Sequence, residues 1–272
     1  MVYNDFSFRK PFIIFIRKKN DLKNRNIIII SNKQSINMAL QIQLSTDFSA
    51  PAVNFSKLRK NKNGGKAVYL SNNNNQLLLQ LPYMRAPFGL SSFTDEQSKK
   101  TSYSLDLSFD PNDPEISKFE EKLKEFDERI VNTVAENAQE WLGKKFNVAV
   151  LKEALYKPLV RPNKGEYPST LKLKILVDTK SGDFIPEAYN SRRERVPLDS
   201  LEKGQKVMTI VDFNQIWFID NKFGVTARLK QCLLEPSKKL PAFAFQGVSD
   251  NTGEDEDDDE EVDGVDADEA DF

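Results

Sequence analysis

Residues 206–234 read KVMTIVDFNQIWFIDNKFGVTARLKQCLL, and this stretch decides the fold class. Two runs rich in β-branched and aromatic residues, 206–219 and 223–234, flank the polar segment Asp220–Lys222. Val, Ile, Phe and Trp favour strands, and a short turn of Asp and Asn between two such runs is typical of a β-hairpin. The stretch therefore predicts one long hairpin in a mostly β protein.

A second strand, LKLKILV, begins at Leu171 and alternates between apolar and basic side chains. Because alternate side chains of a strand point to opposite faces, Lys172 and Lys174 are expected on the surface, opposite a buried apolar face. Residues 103–109 alternate in the same way and predict a half-buried strand. Residues 67–70 and 76–81, on either side of four asparagines, predict a hairpin with a polar turn.

One long helix is predicted to begin at Asp113–Pro114, since Asp is a good N-cap and Pro is tolerated at the first helical position. Apolar residues then recur at three- and four-residue steps from Ile116 to Trp141. This stripe predicts an amphipathic helix of about eight turns that ends near Gly143 and faces the core.

The 272 residues divide by composition into three segments. We expect a leader or disordered extension at 1–37, a binding domain at 38–248 and a disordered acidic tail at 249–272. The first segment has apolar runs too short to span a bilayer and no cleavage site of a signal peptide, and Met38 is expected to be the working start. An organelle-targeting peptide is the alternative for 1–37. The expectation is an intracellular protein that is neither secreted nor bound to a membrane.

The composition argues against an enzyme. The chain has no His, which removes the commonest general base, the Ser and Cys triads and almost all zinc sites. The glycines form no phosphate-binding loop, and the acidic tail lacks the geometry of a calcium loop. Cys232 lies in an apolar run and is expected to be a buried structural thiol. We therefore predict no enzymatic activity, no cofactor and no metal.

Charge is divided along the chain. Of the 41 acidic residues, 14 lie in 250–272, which has no Lys or Arg, so residues 1–249 carry 39 basic and 27 acidic side chains. A basic body favours a polyanionic ligand, and an acidic tail favours an interaction role.

Basic side chains interleaved with aromatic ones are typical of single-strand binders, which follow the backbone with cations and stack bases on rings at roughly 1–3 kcal/mol per base. An ordinary solvated charge remains the alternative for each lysine, and a core position for Tyr83 and Phe88. The candidate phosphate contacts are Lys57, Arg59, Lys60, Arg85, Arg161, Lys164, Lys172, Lys174, Arg192 and Arg193. The candidate stacking rings are Tyr83, Phe88 and Tyr167.

The tail ends in the sequence DEADF. Its acidic run repels itself and is expected to stay unfolded. A terminal ring and carboxylate can occupy a pocket built for a base and a phosphate. We therefore predict that Asp268, Glu269, Asp271 and Phe272 compete with nucleic acid and contact partners; a merely solubilising tail is the alternative.

These features resemble the acidic-tailed single-stranded DNA-binding proteins of short-tailed phages, which have relatives in large DNA viruses of algae and other protists. The resemblance covers roughly Val53–Ser249 plus the tail. It rests on Pro82–Leu90 with the strand after it, the helix before Pro158–Val160, the hairpin with Gln215–Phe218, Gly224 and Leu229–Gln231, and the acidic tail ending in Phe272.

The resemblance implies a mostly β fold with one long helix: an OB-fold-like five-stranded barrel with the helix inserted between strands 3 and 4. It implies a homodimer that coats single-stranded DNA in viral replication and recombination, in the host nucleus or a cytoplasmic virus factory. Its tail would contact the DNA polymerase and helicase-primase. Without DNA, Phe272 would plug the groove that contains Lys172 and Lys174.

Two other classes remain open. A histone-chaperone-like interaction protein would use the tail itself and would have a tailless core without affinity for oligonucleotides. An RNA-binding regulator would use the same barrel and would discriminate through the 2′-hydroxyl.

Overall fold

The structure, a computed structural model, describes residues 41–60, 64–236 and 244–247. The predicted extension at 1–37, Met38 and the acidic tail at 249–272 lie outside the described residues. The described part is mostly β with one long helix, which confirms the predicted fold class, and its strands join into one sheet that follows a partial ring.

The strands are β1 Ile42–Leu44, β2 Val53–Phe55, β3 Arg59–Lys60, β4 Lys66–Asn72, β5 Leu78–Gln80, β6 Met84–Arg85, β7 Leu90–Thr94, β8 Thr101–Ser108, β9 Tyr156–Lys157, β10 Val160–Arg161, β11 Thr170–Ile175, β12 Glu187–Tyr189, β13 Arg195–Val196, β14 Lys206–Ile219 and β15 Lys222–Leu234. The helices are α1 Pro114–Glu136, α2 Ala138–Trp141 and α3 Val148–Val150, with a π-helical turn at Leu151–Leu155 and 3₁₀ turns at Ser45–Asp47, Ala50–Ala52 and Leu198–Ser200.

The hairpin of β14 and β15 is confirmed, and it organises the sheet. Asp220 and Asn221 form its turn with positive φ angles, which Asp and Asn tolerate better than most residues. One edge of β14 pairs in succession with β6, β5 and β4, and the other edge pairs with β15. β15 pairs with β11, β11 with β8, and β8 through one residue pair with β6.

The alternation in β11 separates the inside of the ring from the outside, as predicted. Leu171 and Leu173 are fully buried, whereas Lys172 and Lys174 are exposed. Cys232 on β15 is also buried, as predicted for a structural thiol, and burial raises its pKa to about 12.

Helix α1 begins as predicted. The Asp113 carboxylate accepts hydrogen bonds from the backbone N–H groups of Glu115 (2.9 Å) and Ile116 (3.2 Å), and the apolar stripe of the helix is buried. In the core, Phe126 of the helix meets Phe213 of β14 edge to face, with ring centroids 6.5 Å apart. The helix therefore packs against the inner side of the long hairpin.

The prediction of one continuous helix to Gly143 is wrong. α1 ends at Glu136 because Asn137 leaves the helical conformation (φ −105°, ψ 11°), and its side-chain amide donates to the Thr133 carbonyl at 2.8 Å. The separate turn α2 then carries Trp141 into the core.

The predicted hairpin of 67–70 with 76–81 is also wrong beyond its turn. Asn73 and Asn74 form the turn at positive φ, and a single bridge joins Asn72 to Asn75. β4 and β5 then separate, because both pair with different parts of the longer β14.

A buried carboxylate joins α1 to the segment that follows α3. Asp127 accepts hydrogen bonds from the Tyr156 hydroxyl (2.5 Å) and from the backbone N–H groups of Leu159 (3.1 Å) and Val160 (3.2 Å). Burial raises the pKa of this carboxyl from 3.8 to about 6, although the three hydrogen bonds oppose the shift.

This shift gives a testable pH dependence of stability. Because the folded pKa lies above the unfolded one, the fold favours the protonated acid, and stability falls as pH rises from about 4 to about 6 and then levels off. The loss through this group is about 3 kcal/mol. Asp127→Asn removes the titration, so the free energy of unfolding of the wild type minus that of the variant should fall by about 2.4 kcal/mol between pH 4 and pH 7, because the unfolded carboxyl is already more than half ionised at pH 4. Urea titrations at both pH values measure it, and a constant difference would contradict the buried acid.

Candidate nucleic-acid interface

The outer face of β11 continues onto the strands beside it. Lys172 lies opposite Asp106 of β8, and Lys174 lies between Ser104 of β8 and Arg228 of β15. Since cross-strand partners lie on the same face with Cβ atoms about 5 Å apart, the lysines and the arginine form one group of cations.

A second row of cations crosses the sheet at Thr170, two residues before the first of these lysines. At one end of the row, Lys206 of β14 is opposite Arg85 of β6, and Arg85 is opposite Ser108 of β8. Ser108 is in turn opposite Thr170 of β11. At the other end, Thr170 is opposite Arg161 of β10. Because Thr170 shares the face of the β11 lysines, this row is part of the same surface. We call this surface the cationic face and define it by Arg85, Arg161, Lys172, Lys174, Lys206 and Arg228.

Among the described residues, no salt bridge involves a side chain of the cationic face. Within the described part of the chain, the salt bridges join Glu120 to Lys124, Glu128 to Lys152 and Glu187 to Arg195, all outside this face.

Asp212 introduces a carboxylate beside the cationic face, in register with Arg228 and almost fully buried. Burial raises the pKa of Asp212, while the positive charges of Lys230 and Arg228 act in the opposite direction. The guanidinium Nε of Arg228 is itself buried and has no hydrogen-bond partner among the described residues, so this arginine keeps unused donor capacity.

An aromatic cleft of about 300 Å³ lies on the same side of the sheet, between β3, β4 and β14. On its floor, Gln215 is opposite Tyr69, and Trp217 is opposite Ala67. The Arg59 guanidinium lies over the Tyr69 ring, 5.3 Å from its centroid. We call this the aromatic cleft and define it by Arg59, Lys60, Tyr69, Gln215 and Trp217.

A glycine on β15 allows the Trp217 ring to lie close to the strand. A Cβ atom on Gly224 would stand 2.9 Å from Cζ2 of Trp217 and 2.9 Å from the Lys157 carbonyl oxygen, so a side chain would displace both. Gly224, Thr226 and Arg228 then follow each other on one face of β15. The aromatic cleft and the cationic face are therefore parts of one continuous surface.

The structure brings together six of the predicted phosphate contacts. Arg85, Arg161, Lys172 and Lys174 belong to the cationic face, and Arg59 and Lys60 line the aromatic cleft.

The other predicted residues are not members of these two groups. Lys57 is exposed before β3, and Lys164 and Tyr167 are exposed in the loop after β10, with Tyr167 78% accessible. Arg192 and Arg193 are in the turn between β12 and β13, where Arg193 has a positive φ.

Tyr83 and Phe88 flank β6 and are not core residues, since they are 36% and 54% exposed. Tyr83 lines a separate cleft with Lys206 and Met208. Phe88 precedes Gly89, which has a positive φ in the turn between β6 and β7.

The sequence reasoning missed Tyr69, Gln215, Trp217, Lys206 and Arg228. Alternation within β14 carries part of the signal, because Trp217 stands between two buried positions, 216 and 218. The register between strands decides which basic residues become neighbours, and the pattern within one strand does not predict that register.

The predicted tail residues Asp268, Glu269, Asp271 and Phe272 lie outside the described residues. In the part of the chain that the structure describes, we find no helix both long and apolar enough to cross a membrane. The same residues contain no cluster of acidic or cysteine side chains arranged to hold a metal ion.

Comparison with solved structures finds distant similarities. Gp2.5, a single-stranded DNA-binding protein encoded by bacteriophage T7, aligns with a TM-score of 0.40 and 14% identity over 64% of this chain and 98% of its own. The single-stranded DNA-binding protein of bacteriophage Enc34, in complex with single-stranded DNA, aligns with a TM-score of 0.35 and 11% identity over 70% of this chain and 99% of its own.

Comparison with functionally characterised proteins by sequence finds no match. One family model matches residues 106–246, slightly more than half of the chain, from β8 through the long hairpin. The chain belongs to the family of unknown function DUF5871.

Proposed function

We propose that this protein binds single-stranded DNA, with the sugar-phosphate backbone on the cationic face and bases stacked in the aromatic cleft. The observation that carries the proposal is the register of β14, β15, β11 and β8, which places both groups on one surface. Cations along a path together with accessible rings are the two components of single-strand binding sites.

The arrangement favours unpaired over paired strands. Tyr69 and Trp217 present rings to the cleft, and a base can stack on them only when it is not enclosed in a duplex. Neutralising six phosphates of a single strand gives a salt slope of about −4 in log K against log salt. Binding should therefore weaken strongly as salt is added.

We further propose that the acidic tail competes for this surface and that DNA displaces it. The support is that the tail and the rest of the chain have opposite charge. Residues 250–272 carry 14 carboxylates and end in the aromatic Phe272, whereas residues 1–249 carry 39 basic and 27 acidic side chains. Coating of single-stranded DNA in viral replication and recombination, contacts with a DNA polymerase and helicase-primase, and homodimer formation stay predictions from the resemblance.

The test uses the two tryptophans, which differ in environment. Trp141 is buried against Phe218, whereas Trp217 lines the aromatic cleft and is partly exposed. An oligonucleotide that stacks in the cleft should quench Trp217 fluorescence. We expect quenching by dT20 to persist in Trp141→Phe and to be lost in Trp217→Phe.

Affinity gives the second readout of this experiment. Trp217→Ala should weaken dT20 binding by about 1–3 kcal/mol, because it removes one stacking ring. A matched 20-base-pair duplex should bind more weakly than dT20 to the wild type. Equal affinity for duplex and single strand at moderate salt would overturn the proposed function.

A further inference from the structure

Within the described part of the chain, the Gln215 side chain, which lines the aromatic cleft, has no hydrogen-bond partner. The Gln215 amide lies on the cleft floor, in register with Tyr69 on one side and Thr226 on the other. Among the described residues, no group hydrogen bonds to this amide. Two other glutamines at or beside the long hairpin are bonded: Gln205 donates to the Glu235 carbonyl at 2.6 Å, and Gln231 donates to Glu187 at 3.1 Å.

We propose that Gln215 reads the edge of a base held in the aromatic cleft, so that the protein prefers adenine at one position of the bound strand. The inference rests on the proposed function and adds base selectivity to it. The carboxamide offers one donor and one acceptor side by side. Adenine presents the complementary pair at N6 and N7, and a glutamine side chain bonds both at once.

The size and lining of the cleft fit a single base. Its volume of about 300 Å³ is at the lower end of small-ligand sites, which suits one nucleobase rather than a larger ligand. Tyr69 and Trp217 supply rings for stacking, and a purine covers more ring area than a pyrimidine. Arg59 and Lys60 border the same cleft and are available to the phosphate of the bound nucleotide.

Guanine is the informative competitor. It presents two acceptors, O6 and N7, on the edge where adenine has a donor and an acceptor. Gln215 has one donor group for two acceptors there and pairs imperfectly, whereas an arginine pairs with both. Selection of guanine would therefore assign base reading to Arg59, and selection of adenine assigns it to Gln215.

The experiment compares 20-mers of dT that carry one central dA, dG or dC with dT20, in competition titrations of the full chain at one salt concentration. We expect the dA oligomer to bind about 5-fold tighter than dT20, at the lower end of the discrimination that a bidentate contact provides. Replacing the central dA by 7-deazaadenine, which lacks the N7 acceptor, should abolish the advantage without any change in the protein.

Gln215→Leu should remove the preference for dA, measured as the ratio of the dA oligomer to dT20 in the same variant, because the side chain that pairs with N6 and N7 is lost. The matched control Gln231→Leu, on the same hairpin but outside the cleft, should keep the preference. Equal binding of the four oligomers, preference for dG or dC, or a preference that survives Gln215→Leu or the 7-deaza substitution would overturn base reading by Gln215 while leaving single-strand binding intact. Absence of any dT20 binding by the wild type would instead overturn the proposed function.

Discussion

Replacing Lys172 and Lys174 together by glutamate is expected to reduce the affinity for dT20 at low salt by about 100-fold or more. Both lysines stand on the exposed side of β11 at the centre of the cationic face, so the change replaces two attractive contacts with phosphate by two repulsive ones. Stability should fall by no more than about 1 kcal/mol, because both positions are exposed and the carboxylate introduced at position 172 lies opposite Asp106.

The double alanine variant of the same two lysines measures how many phosphates they neutralise. Each lost contact should make the slope of log K against log salt shallower by about 0.7, so the pair should change it by about 1.4. The control replaces Lys118 and Lys124 of α1, which are exposed and are not members of the cationic face, by alanine and so removes the same formal charge. If both double variants shift the slope equally, the lysines of β11 act only through net charge, and the cationic face is not the binding surface.

Local patterns were sufficient for the long hairpin, for β11 and for the start of α1, but not for the end of α1 or for the partners of β4 and β5. Strict alternation identified β11 and the side on which Lys172 and Lys174 stand, and Asp113 with Pro114 identified the start of α1. These features depend on the side-chain periods of strands and on helix capping, which a short stretch of sequence carries in full. The end of α1 depends instead on Asn137, whose side chain hydrogen bonds to the preceding turn of the helix. The apolar stripe continues past this residue, so the pattern does not predict the end of the helix.

The site required information that no single strand contains. The row from Lys206 through Arg85 to Arg161 joins strands far apart in the chain, and only the observed registers show that they are neighbours. The sequence does not distinguish Trp217 from the other aromatic residues of β14. The accessibility of the Trp217 ring depends on Gly224 across the hairpin and on the gap beside Tyr69. The sequence therefore indicated the residue types of the candidate interface, whereas the strand registers decide which of those residues lie together.

Deleting residues 250–272 is expected to increase the affinity for single-stranded DNA by about 10-fold or more at low salt. The deletion removes 14 carboxylates and changes the formal charge of the chain from −2 to about +12. A tethered segment acts at an effective concentration of about 1 mM, so even a tail that binds its own core with a Kd of about 0.1 mM masks the site roughly 10-fold. Gel-shift or fluorescence titration with dT20 measures the difference between the two chains.

Salt and a single substitution separate competition at the site from general repulsion. Screening shortens the range of charge interactions to about 3 Å at 1 M salt, so the advantage of the truncated chain should shrink as salt rises. Phe272→Ala keeps all 14 carboxylates but removes the ring, and it should recover part of the gain if the ring occupies the aromatic cleft in place of a base. Unchanged affinity after truncation would exclude competition by the tail. If the truncated core has no affinity for oligonucleotides, the result would favour the histone-chaperone-like alternative. In that alternative the tail itself is the functional surface and binds basic proteins.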